Sequence, residues 1–291
     1  QDFLEKQFTA VVEQAQTSLD LAFYDISLVN MAKKLIEAKK RGVRVRIVSE
    51  LDNKNNDAIK ALEQAQIPIV FDNVKSFMHN KFMVIDQKKV WTGSANLSKF
   101  DMRFNRNNVF LMEDEILAKE FEKEFLEMFE SKLFGYNSPH NTKTSFTIND
   151  IGIFLYFAPE VRVDKIIKAE ILKAKSSIKI AAFAFTHKGI LSALLQKQAQ
   201  GVKVEFLLDS RLGKHRSSAA HVLREKQIPF NIYKGRGKLH HKFIIIDSET
   251  VLTGSFNFTQ NASFRNDENL LVFKNMHIAD EFEKEFQRCL N

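Results

Sequence analysis

Apolar positions along the chain fall into short runs whose period alternates. Residues 4–16 carry them at helical spacing, and residues 19–24 alternate apolar and polar as a half-buried strand does. Residues 30–40 return to the helical period and stop at Gly42. The same reading predicts a strand over 43–49, a helix over 57–64 and a strand over 68–71. Strands over 82–85, 90–91 and 109–112 follow, then a long Phe-rich helix over 115–132, whose spacing is that of core packing. A similar series returns over 165–290. Strand–helix alternation with uninterrupted apolar strands, such as 243–246, predicts an α/β fold with a mixed sheet covered by helices on both faces.

The return is a repeat. Thr92-Gly93-Ser94-Ala95-Asn96 recurs as Thr253-Gly254-Ser255-Phe256-Asn257, and His79-Asn80-Lys81-Phe82 as His240-His241-Lys242-Phe243. Phe121-Glu122-Lys123-Glu124-Phe125 recurs as Phe282-Glu283-Lys284-Glu285-Phe286, and Gln66-Ile67-Pro68 as Gln227-Ile228-Pro229. All four pairs share one offset of 161 residues, and Gly42-Val43 matches Gly201-Val202 at nearly the same distance. Matching strings in one order at one offset make the chain two copies of one unit. The expected division is 1–134 for the first unit, 150–291 for the second, and an Asn-, Ser- and Thr-rich linker over 135–149. The second copy opens with an apolar strand over 151–157, where the first has only residues 1–3. The expectation is that the matching strand precedes Gln1. A start at Gln1 without Met or a targeting pattern fits a trimmed chain or a removed leader, and leans towards an exported or membrane-tethered bacterial protein.

The candidate chemistry lies in the repeated strings. The first copy reads His79-x-Lys81-x4-Asp86, then Gly93-Ser94-x-Asn96; the second reads His240-x-Lys242-x4-Asp247, then Gly254-Ser255-x-Asn257. At a strand start, positions i and i+2 share a face, so each imidazole is presented with an ammonium while Asn80 and His241 face away. Asp86 and Asp247 close apolar runs and are placed to anchor the following turn. Ser94, Ser255, Asn96 and Asn257 can supply hydroxyl and amide donors after a glycine turn. One isolated His-x-Lys would mean only a solvated strand end. Two, each followed by Gly-Ser-x-Asn, exceed what packing asks for.

This pattern resembles the HKD motif of the phospholipase D superfamily, in the form that carries two motifs on one chain, and in its overall pattern resembles the bacterial nuclease-like members. The resemblance implies two similar α/β units about a pseudo-twofold axis, one active site between them in a monomer, and phosphodiester cleavage through a phosphohistidine without metal or other cofactor. Chemistry suits the residues independently: a phosphodiester needs a nucleophile, a proton for the leaving oxygen and positive charge near the non-bridging oxygens. His79 and His240 can supply the first two, and Lys81, Lys242, Asn96, Asn257 and the two serine hydroxyls the third. No carboxylate cluster with metal-ligand spacing is legible. Glu268 stands 13 residues after Ser255, and Asn107 stands 13 after Ser94. Family members place at this position a side chain that hydrogen-bonds the motif histidine. With each partner assigned to its own copy, Glu268 favours an imidazolium at His240, the proton donor, and Asn107 leaves His79 as the free nucleophile.

Composition then narrows the partners. At 44% apolar and 27% charged the chain is globular, and no apolar run is long enough to cross a membrane. The single Cys289 excludes an internal disulfide framework and any multi-cysteine metal site. A net charge of +7 points to polyanions. Lys99, Arg103 and Arg106 rim the first motif, Lys234, Arg236 and Lys238 run up to His240, and Arg211 and Lys214 follow a sheet strand. Phe77, Phe100 and Phe264 are available for base stacking. His187, His215 and His221 are scattered and read as loop or surface histidines. The expected function is therefore a nuclease acting on DNA or RNA. An anionic phospholipid as substrate, for a hydrolase or a cardiolipin-synthase-like transferase, is the alternative. A catalytically dead nucleic-acid-binding module is the reading of another class.

Overall fold

The computed structural model describes residues 3–291, so residues 1 and 2, on which the expectation about a preceding strand partly falls, lie outside the described residues. The first unit runs α1 (Phe3–Gln14), β1 (Ser18–Phe23), α2 (Val29–Lys40), β2 (Arg44–Ser49), α3 (Asp57–Gln64) and β3 (Ile69–Phe71). It continues β4 (Lys81–Ile85), β5 (Lys89–Gly93), α4 (Lys99–Arg103), β6 (Val109–Glu113) and α5 (Glu115–Phe129). The second unit runs β7 (Ser145–Ile148), β8 (Ile151–Ala158), α6 (Val163–Lys173), β9 (Ser177–Ala182), α7 (Lys188–Ala199), β10 (Lys203–Leu208) and α8 (Ala219–Glu225). It closes with β11 (Asn231–Ile232), β12 (Lys242–Ile246), β13 (Thr250–Gly254), α9 (Gln260–Phe264), β14 (Glu268–Lys274) and α10 (Met276–Leu290).

Each unit is a mixed sheet, ordered β3-β2-β1-β4-β5-β6 in the first and β11-β10-β9-β12-β13-β14-β8-β7 in the second. β1, β2 and β3 pair in parallel, whereas β4 joins β1 and then β5 and β6 antiparallel; β9 to β14 repeat the pattern. The two faces of β4 show how the period of two builds the layers. Met83 and Ile85 enter an outer core with α1, α2 and α3, whereas Phe82 and Val84 enter a central core shared by both units. Phe121 and Phe125 of α5, and Phe282 and Phe286 of α10, fill that central core between the two sheets. Phe110 of β6 stacks on Phe273 of β14 with ring centroids 4.5 Å apart, so aromatic packing joins the units directly.

Three features differ from the sequence reading. Residues 145–148, placed in the linker by composition, form β7, which pairs antiparallel with β8 and buries Phe146. Flanking Asn, Ser and Thr hide its short alternation. The long helix stops at Phe129 rather than at residue 132, where Lys132 adopts a positive φ of 55°. The short helices α4 and α9 were not foreseen, because five residues are too few to show a helical period.

Candidate active site

Two backbone crossings build the site. The segment entering β4 pairs with the segment entering β14: His79 N–H donates to Asp267 O at 2.9 Å, and Asp267 N–H to Phe77 O at 3.0 Å. By the pseudo-symmetric contact, Arg106 N–H donates to Lys238 O at 2.8 Å, tying the entrance of β6 to the entrance of β12. Each motif histidine is therefore delivered beside the other unit's post-motif segment. Two glycines close the arrangement. A Cβ on Gly93 would lie 2.2 Å from Asn108 O, and one on Gly254 2.4 Å from Asn269 O. Only Gly lets these backbones approach closely enough for Ser94 N–H to reach Asn108 O at 2.9 Å.

The crossings correct the expected histidine partners. His79 Nδ1 lies 2.7 Å from Glu268 Oε2, and His240 Nδ1 lies 2.8 Å from Asn107 Oδ1. Each histidine is partnered by the opposite copy, not by its own. The serines are also placed differently from expectation. Ser255 Oγ donates to Glu268 Oε2 at 2.7 Å and accepts from Asn269 N–H, while Ser94 Oγ donates to Asn107 Oδ1 at 2.8 Å and accepts from Asn108 N–H. Both hydroxyls are buried and hold the histidine partners, so they do not reach a phosphate.

Both imidazoles open on one cleft of about 750 Å³, also lined by Asn96, Asn257, Tyr24, Phe77, Phe100, Phe183, Arg211 and Lys238. Asn107 Nδ2 donates to Asp101 O at 3.2 Å, which fixes its amide so that Oδ1 faces His240. An acceptor at that point requires the proton on His240 Nδ1 and leaves Nε2 for chemistry. Burial pushes both imidazoles below their usual range: His79 against the opposing pull of Glu268, and His240 well below it, with Lys242 adding to the effect. Lys81 and Lys242 are fully buried and do not line the cleft; their ammonium groups donate to the carbonyls of His79 and His240 at 2.7 and 2.6 Å. Burial brings Lys81 down to about 8, and burial together with Lys81 pushes Lys242 well below the usual lysine range. Asp86 accepts the backbone N–H groups of Gln16, Thr17 and Ser18, and Asp247 those of Lys175, Ser176 and Ser177, so each ties its turn to the start of a neighbouring strand.

The predicted cationic rim divides. Arg211 and Lys238 line the cleft that holds both imidazoles, and Arg103, Arg106, Lys234 and Arg236 line an adjoining pocket of about 450 Å³ that shares Asn105 with it. Arg103 also holds Glu5 at 2.7 Å, and Arg106 approaches Glu285 at 3.7 Å. Lys99 and Lys214 are exposed and line neither. Phe77 and Phe100 stand in the cleft wall, whereas Phe264 lies outside it under the Arg162 guanidinium, 4.1 Å from the ring centroid. His187 lies in the loop before α7, as expected, but is buried there and accepts Ile190 N–H.

Two groups of residues were missed. Asp101 on α4 lies 3.3 Å from His240 Nδ1; the sequence Ser98-Lys99-Phe100-Asp101 carries a helix-start signature that could have drawn attention to it. Glu124, Glu127 and Glu160 bring carboxylate oxygens within 4.8 Å of one another, which corrects the expectation that no carboxylate cluster with metal-ligand spacing exists. Glu124 and Glu127 were legible as one helix face, but Glu160 arrives from the turn after β8. Glu124 donates nothing to the cleft: it accepts from Asn80 Nδ2 at 3.2 Å, behind the motif.

Over 126 residues the chain is 40% identical to a phospholipase D of Rickettsia conorii, covering 43% of this chain and 63% of that protein. Over 114 residues it is 32% identical to a mitochondrial cardiolipin hydrolase of Xenopus tropicalis, covering 38% of this chain and 54% of that one. The chain thus spans between 54% and 63% of the length of these curated relatives. The crystal structure of a phosphatidylserine synthase from Haemophilus influenzae covers 100% of this chain and 84% of its own, with a TM-score of 0.76 at 12% identity, a likeness of fold alone. Residues 8–129 and 167–290 each match the family described as "Cardiolipin synthase, PLD-like domain", and with two such units the chain belongs to the phospholipase D superfamily.

Proposed function

We propose that the protein is a phosphodiesterase whose substrate is nucleic acid and whose intermediate is a phosphohistidine. The observation that carries the phosphohistidine chemistry is the pair of imidazoles in one cleft, each held at Nδ1 and each with Nε2 left for reaction. In the first step His79 Nε2 attacks phosphorus. The N–P bond forms, the P–O bond breaks, and the leaving oxygen takes the proton from His240 Nε2. Water then attacks the phosphohistidine, giving its proton to His240 as the N–P bond breaks.

The roles rest on a different argument from the one the sequence offered. N-phosphorylation gives the attacking imidazole a positive charge, and the Glu268 carboxylate 2.7 Å away offsets that charge as it develops. Lys81, brought down only to about 8, keeps its ammonium at neutral pH and adds positive potential behind His79, in place of the paired metals many phosphodiesterases use. Arg211 and Lys238 supply phosphate contacts inside the cleft, and Phe77 and Phe100 offer ring faces to bases.

A phospholipid substrate is the second reading, favoured by the names of the relatives. The deciding experiment incubates the protein with single-stranded DNA, plasmid, RNA and cardiolipin vesicles in EDTA, then traps the phosphoenzyme in alkali. Cleavage of nucleic acid with label on His79 is the expected result. Turnover of cardiolipin alone selects the lipid reading, and binding without cleavage of any substrate selects a binding module. Activity that EDTA abolishes and Mg²⁺ or Zn²⁺ restores overturns the mechanism.

A further inference from the structure

We propose that Asp101 is the counterion of His240, a positioning residue that lets this histidine hold the transferable proton. The inference rests on the two-histidine reaction above. Its starting point is the asymmetry of the partners: a carboxylate touches His79, but an amide touches His240. An amide fixes the tautomer and cannot balance an imidazolium. His240 also faces Lys242, Lys81 and His79, all of which oppose a second proton on it.

The missing charge comes from α4. Asp101 Oδ1 lies 3.3 Å from His240 Nδ1, just behind Asn107. The carboxylate is 4% exposed, and its orientation is fixed from several sides. Its Oδ2 accepts from Asn96 N and Nδ2 at 2.9 and 2.7 Å, and its Oδ1 accepts from Asn105 Nδ2 at 2.6 Å and Asn107 Nδ2 at 3.3 Å. Burial opposes its ionisation, but His240, Asn105 and Asn96 overcome this and hold the carboxyl down to about 2. Among the described residues, Asp25, Lys81 and Lys242 also interact electrostatically with Asp101.

The repeat provides the comparison. The residue 161 positions after Asp101 is Ala262 on α9, which offers nothing to His79. Where position 268 carries a carboxylate, its helix carries Ala; where position 107 carries an amide, its helix carries Asp. Each histidine thus has one carboxylate, delivered from a different element.

The test uses Asp101→Asn, which keeps the shape and removes the charge. The His240 titration followed by NMR shifts to lower pH, while that of His79 moves less. Cleavage of the natural phosphodiester falls by roughly 10²-fold, and cleavage of a nitrophenyl phosphodiester, whose leaving group departs unprotonated, falls far less. Adding Asn107→Glu to Asp101→Asn returns a carboxylate to His240 and restores most of the lost rate. An unmoved His240 titration overturns the proposal. So do equal losses on both substrates that Asn107→Glu fails to recover, because Asp101 then serves only to hold Asn96. If the unaltered protein cleaves no phosphodiester at all, the reaction beneath the proposal fails, and the NMR titration alone decides the pairing.

Discussion

Glu268 and His79 are 189 residues apart and belong to different repeats, yet the carboxylate lies 2.7 Å from the imidazole Nδ1. The contact exists because the chain entering β14 is hydrogen-bonded to the chain entering β4, through His79 N–H to Asp267 O and Asp267 N–H to Phe77 O. A histidine so held cannot be supplied by one unit. The site is a property of the pair.

Removing that charge without removing the shape tests the role of Glu268. In Glu268→Gln the amide can still meet Ser255, but it no longer offsets the positive phosphohistidine. We expect kcat to fall by about 10²-fold or more, with KM little changed. A matched rise in KM with kcat intact, measured by steady-state kinetics, would place Glu268 in substrate binding instead.

The two histidines separate by leaving group. A nitrophenyl phosphodiester releases a stable anion, so its first step survives His240→Ala and phosphoenzyme accumulates on His79. Stopped-flow traces should show a burst of nitrophenol and then near-arrest. His79→Ala should show none. A burst in His79→Ala and none in His240→Ala reverses the roles.

The pH profile follows from burial. Burial holds both imidazoles below the ordinary value of about 6.5, His240 further than His79, so the productive form, with the one transferable proton on His240, is the less populated of the two singly protonated forms. Maximal kcat/KM therefore lies between the two apparent pKa values, on the acid side of 6.5, and falls as pH rises and the proton is lost. An optimum at alkaline pH contradicts this assignment.

The acidic cluster governs stability in the opposite direction from a usual carboxylate. Burial raises Glu160 to about 7, and burial with Glu160 beside it raises Glu124 well above its usual value. A raised folded-state pKa contributes stability below the unfolded value, and that contribution is lost as pH rises through about 7. Glu160→Gln should therefore be close to neutral at pH 5 and stabilising by roughly 2 kcal/mol at pH 8, read from urea unfolding at both. Equal effects at the two pH values would show that the cluster does not titrate.

Phosphate contacts are tested by salt. Binding of His79→Ala to single-stranded DNA should weaken steeply with ionic strength, and replacing both Arg211 and Lys238 by Ala should flatten the log–log slope by about 1 to 2. Salt-insensitive binding, or binding to anionic vesicles in preference to DNA, supports the lipid reading.

What the sequence determined by itself is what local spacing encodes. The period of two in β4 and β12, the helical period of α2 and α3, and the recurrence of His-x-Lys with Gly-Ser-x-Asn at one offset are all properties of contiguous residues. They sufficed for the α/β fold and the two similar units, and they singled out His79, Lys81, His240 and Lys242 as candidates. Tertiary structure decided which groups those side chains meet. Glu268 reached the wrong histidine in the sequence reading because a spacing of 13 within one copy carries no record of the crossing between copies. Ser94 and Ser255 looked free because their acceptors arrive only when β5 meets β6 and β13 meets β14. Asp101 was passed over because a five-residue helix shows no period, and Glu160 because only the fold sets it against α5. Periodicity is written in a chain's own spacing, whereas the charge that surrounds a histidine depends on segments that meet only after the two units close.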